Sequence, residues 1–324
     1  MKLRRVKAGS DLHVELYAPR GWVRVAKCLT RLKQPPLDHA RILAGDVVAL
    51  LAVPADARAE LAEAAREIEP EPATGKDVAI PFETHSFRDF MLYETHAIAA
   101  ARGLVREHMP AAFQVVRAFE ALTGRPFPKL KPHALWYRQP VYYMGNHLTF
   151  ATDGEDIAMP SYTRTLDYEL ELGFVLAHPL RDADAMTAET AIGGFVVLND
   201  FSARDVQLAE MASGFGPQKS KHFRSAMSKV VVTADEILPR WCELAGHVRL
   251  NGALVAEPST AGARWSLGEV LAHASRSEQL HPGELFGSGT LPNGSGIETG
   301  HRLNKGDDIE IGIEGIGTLA NRIV

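Results

Sequence analysis

The sequence predicts a mixed α+β, β-rich fold, with a small β-rich unit over residues 1–80 and a larger strand-rich domain over 81–324. Three observations support this. The first fifty residues alternate polar and apolar in short runs, with Pro-Arg-Gly and Ala-Gly-Asp between them. Helical spacing is confined to a few short or medium stretches. Beyond residue 130 the chain is a succession of β-branched and aromatic runs separated by turn residues.

In chain order, LHVELYAP, GWVRVAKCL and DVVALLAV read as strands, and an Ala-, Glu- and Arg-rich stretch over 55–68 reads as a helix. EPEPATGK, rich in Pro and charge, reads as a linker and puts the boundary within 75–82. From Ser86, SFRDFMLYETHAIAAARGLVREHM has apolar residues at helical spacing, and a second helix over 111–122 is ended by TGRP. HALWYRQ, EDIAMP, YELELGFVLA, GGFVVLND, KVVVTADEI, HVRLNGALVAE and DIEIGIEGIGTLAN are the expected strands. Short helices are expected over 202–212 and 266–274, each opening at a serine cap. There is no solenoid repeat and no heptad run.

The 324 residues are 46% hydrophobic, which supports a packed core. Lys plus Arg total 35 against 40 Asp plus Glu, and a net charge of -5 gives no general attraction to nucleic acid or anionic lipid. The basic start, MKLRRVK, is followed by no apolar core of a signal peptide, and the longest apolar stretch, 47–55, is too short to span a bilayer. A cytoplasmic location is expected, with neither membrane nor nucleic acid as a partner. Two cysteines, Cys28 and Cys242, cannot build a thiolate zinc site, so a metal would be held by His or carboxylates.

Dinucleotide, Walker, serine-elbow and HExxH signatures are absent. What remains is acidic residues near strands. In LDYELEL, alternation puts Asp167, Glu169 and Glu171 on one strand face and Tyr168, Leu170 and Leu172 on the other. Carboxylates two residues apart can clasp a hard cation such as Mg2+ or Mn2+, and a solvated strand face is the alternative. Asp200 closes the apolar run GGFVVLND; Ser202 and Asp205 have capping-box form, and Arg204 and Gln207 share a helix face one turn apart. Asp200 as a turn former paired with a surface Arg204 is the bland alternative. If 86–108 is one helix, Asp89 and His96 project from one stripe about 10 Å apart.

Together these segments resemble the fumarylacetoacetate hydrolase family. RDFMLYETHA, QPVYYMGN, LDYELEL, VLNDFSARDVQ, KSKHF, GSGT with GSGIE, and KGDDIEIGIEGIGTLAN occur in family order across 86–324. The resemblance implies a mixed β-roll for the C-terminal domain, a small N-terminal β domain as in longer members, and a homodimer. Glu169, Glu171 and Asp200 match the family's metal carboxylates and Asp89 a fourth; the implied ion is Mg2+ or Mn2+, with Ca2+ also accommodated. His96 matches the catalytic histidine, Glu298 the glutamate that orients it, and Lys221 a lysine near the metal. Arg204, Gln207, Tyr143 and Thr290 match substrate-contacting positions.

The resemblance implies a metal-dependent hydrolase that cleaves a carbon–carbon bond in a β-diketone or acylpyruvate-like acid. Water would be activated by His96 and Glu298, since a neutral imidazole accepts a proton near pH 7 and a carboxylate on its far nitrogen fixes the tautomer. A lyase of the same family, acting as oxaloacetate-type decarboxylase, dienoate hydratase or isomerase, is the alternative, and a noncatalytic metal-stabilised module a third. Met91 and Met211 stand where fumarylacetoacetate hydrolases carry tyrosines, which argues against fumarylacetoacetate itself and for a less polar wall. SAMSK lacks the Gly-Pro common after this lysine, and HAIA at His96 lacks the HxxE lid signature, which favours the His-Glu pair.

Overall fold

The computed structural model describes residues 1–32, 34, 36–72 and 77–324. The linker expected at EPEPATGK therefore lies partly outside the described residues. Its large sheet runs in the order Gly21–Arg24, Asp11–Ala18, Lys2–Ala8, Val230–Thr233, Ile192–Asn199, Glu169–Leu176, Glu284–Ser295, Ser86–Phe90, Tyr142–Gly145. A second sheet of five strands runs Ala253–Ala256, Gly246–Leu250, Asp308–Ile313, Gly317–Ile323, Asp156–Ile157. The β-rich α+β reading is the fold observed.

The strand Glu169–Leu176 is buried along its whole length, as is Ile192–Asn199 beside it. Leu170, Leu172, Phe174 and Tyr168 enter one core with Ile309, Ile311 and Leu319 of the five-stranded sheet and Val270 and Leu271 of the helix Leu267–Ser275. That helix opens as expected on Ser266, which accepts from Glu269 N while Glu269 accepts from Ser266 N. On the opposite side, Val175, Val196 and Leu198 pack with Leu3, Val14, Leu16, Leu50 and Leu61. The N-terminal residues thus complete one face of the large sheet, and Lys2–Ala8 pairs directly with Val230–Thr233.

GWVRVAKCL is a strand only over Gly21–Arg24, its remainder Val25–Leu29 being a helix, and four further expectations are corrected. DVVALLAV is not a strand: Val47–Leu51 is a helix, capped by Asp46, whose side chain accepts from Ala49 N. Its five residues are all buried, so no polar face marked its period. HALWYRQ is a 3-10 turn, Ala134–Tyr137, capped by the His133 side chain. Ser202 does not cap the next helix; it pairs with Asp167 across a two-residue ladder, and Arg204–Ala212 begins after Ala203. Asp205 instead accepts from Thr163 Oγ1 and Arg164 N.

The fourth correction moves a site residue. Ser86–Phe90 is a strand, parallel to Glu284–Ser295 and antiparallel to Tyr142–Gly145, and only Glu94–His108 is helical. Asp89 and His96 therefore do not share a helical stripe. The pairing partners lie about fifty and two hundred residues away in sequence, and this long-range pairing overrides the local helical pattern. Leu92 N donates to Ser288 O and Met91 N to Val141 O, which fixes the turn between strand and helix.

Candidate functional site

Asp89, Glu171 and Asp200 converge, each offering a carboxylate oxygen within 4.8 Å of the others, all buried. The sheet order explains why. Glu171 sits near the start of Glu169–Leu176, Asp200 follows the adjacent Ile192–Asn199, and Asp89 is two strands away on Ser86–Phe90. The strand between contributes Gly287, opposite both Asp89 and Gly173. A Cβ on Gly287 would stand 2.5 Å from Asp89 Oδ1 and 2.7 Å from Glu171 Oε2, so the missing side chain is the space into which these carboxylates point.

Those same two oxygens are buried without a hydrogen-bond partner. Burial, and then the negative charge of Asp200, push the Asp89 carboxyl well above the usual carboxylate range. Burial and Asp89 do the same to Glu171. A divalent cation among these oxygens would remove that penalty, and three hard oxygen donors are the ligand set that Mg2+, Mn2+ or Ca2+ prefers. The residues fit such an ion. Gly287→Ala is expected to lower Mn2+ affinity about 10–100-fold, the scale on which outer-shell changes act; calorimetric titration showing unchanged affinity would contradict this placement.

Glu169 faces elsewhere. Its Oε1 is 2.7 Å from Arg204 Nη2, and its Oε2 accepts from Lys221 Nζ. Burial opposes its charge, but the guanidinium and ammonium outweigh it and hold its carboxyl well below the usual range. Lys221 bridges to Asp200 Oδ2 at 2.5 Å, and these carboxylates keep its ammonium charged against the effect of burial. Glu169 is thus outside the group of three carboxylates and is joined to it through Lys221.

Residues matched to substrate contacts also hold the carboxylates. Tyr143 Oη donates to Asp200 Oδ2 at 2.7 Å, its pKa raised by burial and by Asp200 so that it stays a donor. Thr290 Oγ1 donates to Glu171 Oε1 at 3.3 Å. Arg204 Nη1 donates to Gln207 Oε1 at 2.8 Å, which realises the expected shared face, and its Nε donates to Asp167 Oδ2. Met211, one turn beyond Gln207, is 51% exposed.

His96 lies in the first turn of Glu94–His108, buried, with Nδ1 2.9 Å from Glu298 Oε2. Glu298 is held by Ser295 Oγ at 2.7 Å and Asn293 N at 3.1 Å. The helix comes close to this turn because Gly103 has no side chain: a Cβ there would meet Ile297 O at 2.4 Å. Sequence reasoning missed Ser225, whose Oγ donates to Asp200 Oδ1, and Gly287. Nothing in SAMSK marked the former, whereas GSGT, read as a motif, contained the latter.

The description "Fumarylacetoacetate (FAA) hydrolase C-terminal" matches residues 114–324. The mitochondrial oxaloacetate tautomerase FAHD1 of Homo sapiens is 29% identical over 185 residues, 57% of this chain and 81% of that protein. The fumarylacetoacetate hydrolase of Exiguobacterium antarcticum superposes with a TM-score of 0.70 at 20% identity, covering 100% of this chain and 99% of that one. The fumarylpyruvate hydrolase of Pseudomonas aeruginosa in complex with Mn2+ and pyruvate gives a TM-score of 0.57 at 20% identity, over 80% of this chain and 98% of that one. These structures share the fold. With the family match spanning most of the chain, and all the strands that carry Glu171, Asp200 and Gly287, the chain belongs to the fumarylacetoacetate hydrolase family.

Proposed function

We propose that this enzyme is a divalent-metal-dependent hydrolase of a β-diketone or acylpyruvate-like acid. The observation that carries the reading is a buried carboxylate cluster on the same sheet as a strand, Glu284–Ser295, that leads into the turn holding Glu298 against His96. Asp89, Glu171 and Asp200 would hold Mg2+ or Mn2+, with Glu169 linked to them through Lys221. When bound, the ion supplies Lewis-acid polarisation of the substrate carbonyl. The Mn2+ and pyruvate in the Pseudomonas aeruginosa relative support this choice of ion and substrate class.

His96, its Nδ1 2.9 Å from Glu298 Oε2, would accept the proton of attacking water at Nε2 and return it to the departing enolate carbon, with the carboxylate stabilising the imidazolium. Lys221 and Gln207 steady the negative charge that develops on oxygen, and Tyr143 and Thr290 keep the carboxylates aimed. Met91, half-buried, and Met211 offer an apolar wall to the rest of the substrate.

A second reading, tautomerase or another lyase-type enolate chemistry without water attack, is favoured by the name of the FAHD1 relatives. We expect a homodimer, and place the enzyme in the cytoplasm; among the described residues no helix is long and apolar enough to cross a membrane. The test is loss of enol absorbance across a panel of acylpyruvates and 1,3-dicarbonyl acids, with Mn2+ or with chelator. Turnover that requires metal and yields the two acids of hydrolysis supports the proposal. Turnover indifferent to chelator, or stoichiometric metal binding with no turnover on any acid of the panel, would overturn it.

A further inference from the structure

We infer that Asp167 is a positioning residue that sets the spacing between the histidine pair and the carboxylate cluster; the inference rests on the proposed reading of this site. Asp167 is fully buried, on the short ladder Leu166–Asp167 just before the strand of Glu169 and Glu171, yet it lies outside the three-carboxylate group. Its carboxylate instead accepts from the backbone of the Glu298 turn and of Tyr168 and from the guanidiniums of Arg204 and Arg302.

Oδ1 accepts from Gly296 N at 2.9 Å and from Tyr168 N at 3.0 Å, and Oδ2 from Ile297 N at 2.9 Å. Gly296 and Ile297 open the turn that carries Glu298, the partner of His96. A Cβ on Gly296 would stand 2.3 Å from Asp167 Oδ1, so the glycine is what lets the carboxylate reach the turn.

Oδ2 also accepts from Arg204 Nε at 2.8 Å, and the Nη2 of that guanidinium is 2.7 Å from Glu169 Oε1. The third tie runs through Arg302: its Nη1 donates to Asp167 Oδ2 at 2.5 Å, and its Nη2 donates to both Glu107 oxygens at 2.7 Å. Glu107 is on Glu94–His108, the helix whose first turn carries His96. One carboxylate therefore joins the Glu298 turn, the His96 helix and, through Arg204 and Glu169, Lys221 and Asp200. Two guanidiniums and three backbone N–H groups over-determine its place, the condition under which a buried charge holds a geometry instead of costing stability alone.

A residue that acts through another is exposed by non-additivity. Asp167→Asn in the full chain is expected to cut kcat about 100-fold with KM within about threefold, as misplacement of catalytic groups does. In a Glu298→Gln background the same change is expected to add less than about threefold. An activity-independent readout is the imidazole N–H proton resonance of His96, assigned by its absence from His96→Gln. It should shift or broaden in Asp167→Asn while Mn2+ affinity stays within about tenfold.

If Asp167→Asn does not fold, Glu107→Gln takes its place, with a several-fold loss of kcat at constant KM and a displaced His96 resonance expected. Retention of both the resonance and kcat in the folded variant would overturn the inference, as would equal losses of kcat in wild-type and Glu298→Gln backgrounds. Absence of turnover in the wild type would instead count against the proposed reaction, and the resonance would still decide the role of Asp167.

Discussion

Replacing Glu171 by alanine is expected to abolish both metal binding and turnover while the fold survives. Glu171 and Asp89 are buried carboxyls with unpartnered oxygens aimed at one space; without a cation, burial and the charge of Asp200 disfavour ionisation of both, and Asp89 adds to this at Glu171. An unpaired buried charge costs several kcal/mol, so removing one should not lower the thermal midpoint of the metal-free protein. Glu169→Ala is expected to end activity as well, by removing the carboxylate that links Arg204 to Lys221 and leaving each with one carboxylate partner, Asp167 and Asp200. Glu171→Ala that keeps wild-type Mn2+ affinity by calorimetry and wild-type kcat would contradict the assignment.

The raised carboxyls have a pH consequence of defined sign. Their native pKa values lie above those of the unfolded chain, so the metal-free native state holds more protons once pH passes the ordinary carboxyl range near 4. This contribution is fully present below that range and is lost as pH rises through the native values. Metal-free protein should therefore lose melting temperature as pH rises through this window, and Glu171→Ala should show a flatter profile. Mn2+ at a hundred times its Kd adds about 2.7 kcal/mol and reverses the trend, because the ligands bind it deprotonated. A metal-free profile that rises through the same window would contradict the raised values.

The other large effect is expected from His96→Ala: hydrolytic kcat falls about 10²–10⁴-fold, the usual contribution of a positioned general base. Mn2+ affinity is retained, because His96 is not among the converging carboxylates. Glu298→Gln should lower kcat less, because the imidazole remains and loses only its orienting charge. Near-full activity in His96→Ala would move the chemistry to enolate formation without water attack, the lyase reading.

Where local pattern and long-range packing agree, the sequence was legible. LDYELEL read as a strand with Glu169 and Glu171 in it, although Asp167 falls on a separate short ladder and Glu169 turns to Arg204 and Lys221; the apolar run GGFVVLND ended at Asp200 as expected, and the Ser266 cap was correct. Asp89 was placed on a helix because SFRDF continues into a real helix, and only pairing with Glu284–Ser295 and Tyr142–Gly145 makes it a strand. DVVALLAV carried no polar face to reveal its helix, since the side of the large sheet that covers it is formed by distant residues such as Val196 and Leu198. In the site, residue types were legible but their partners were not. The division of the carboxylates between a cation-paired Glu169 and a converging Asp89, Glu171 and Asp200 depends on where Arg204 and Lys221 reach.

The most direct test of the central claim is the mass of the products formed by Mn2+-loaded wild-type enzyme from an acylpyruvate. Equimolar pyruvate and the acid corresponding to the acyl group, with one water added across the broken bond, is the predicted result. Metal-dependent consumption that conserves substrate mass, or that releases carbon dioxide without the two acids, would contradict hydrolysis.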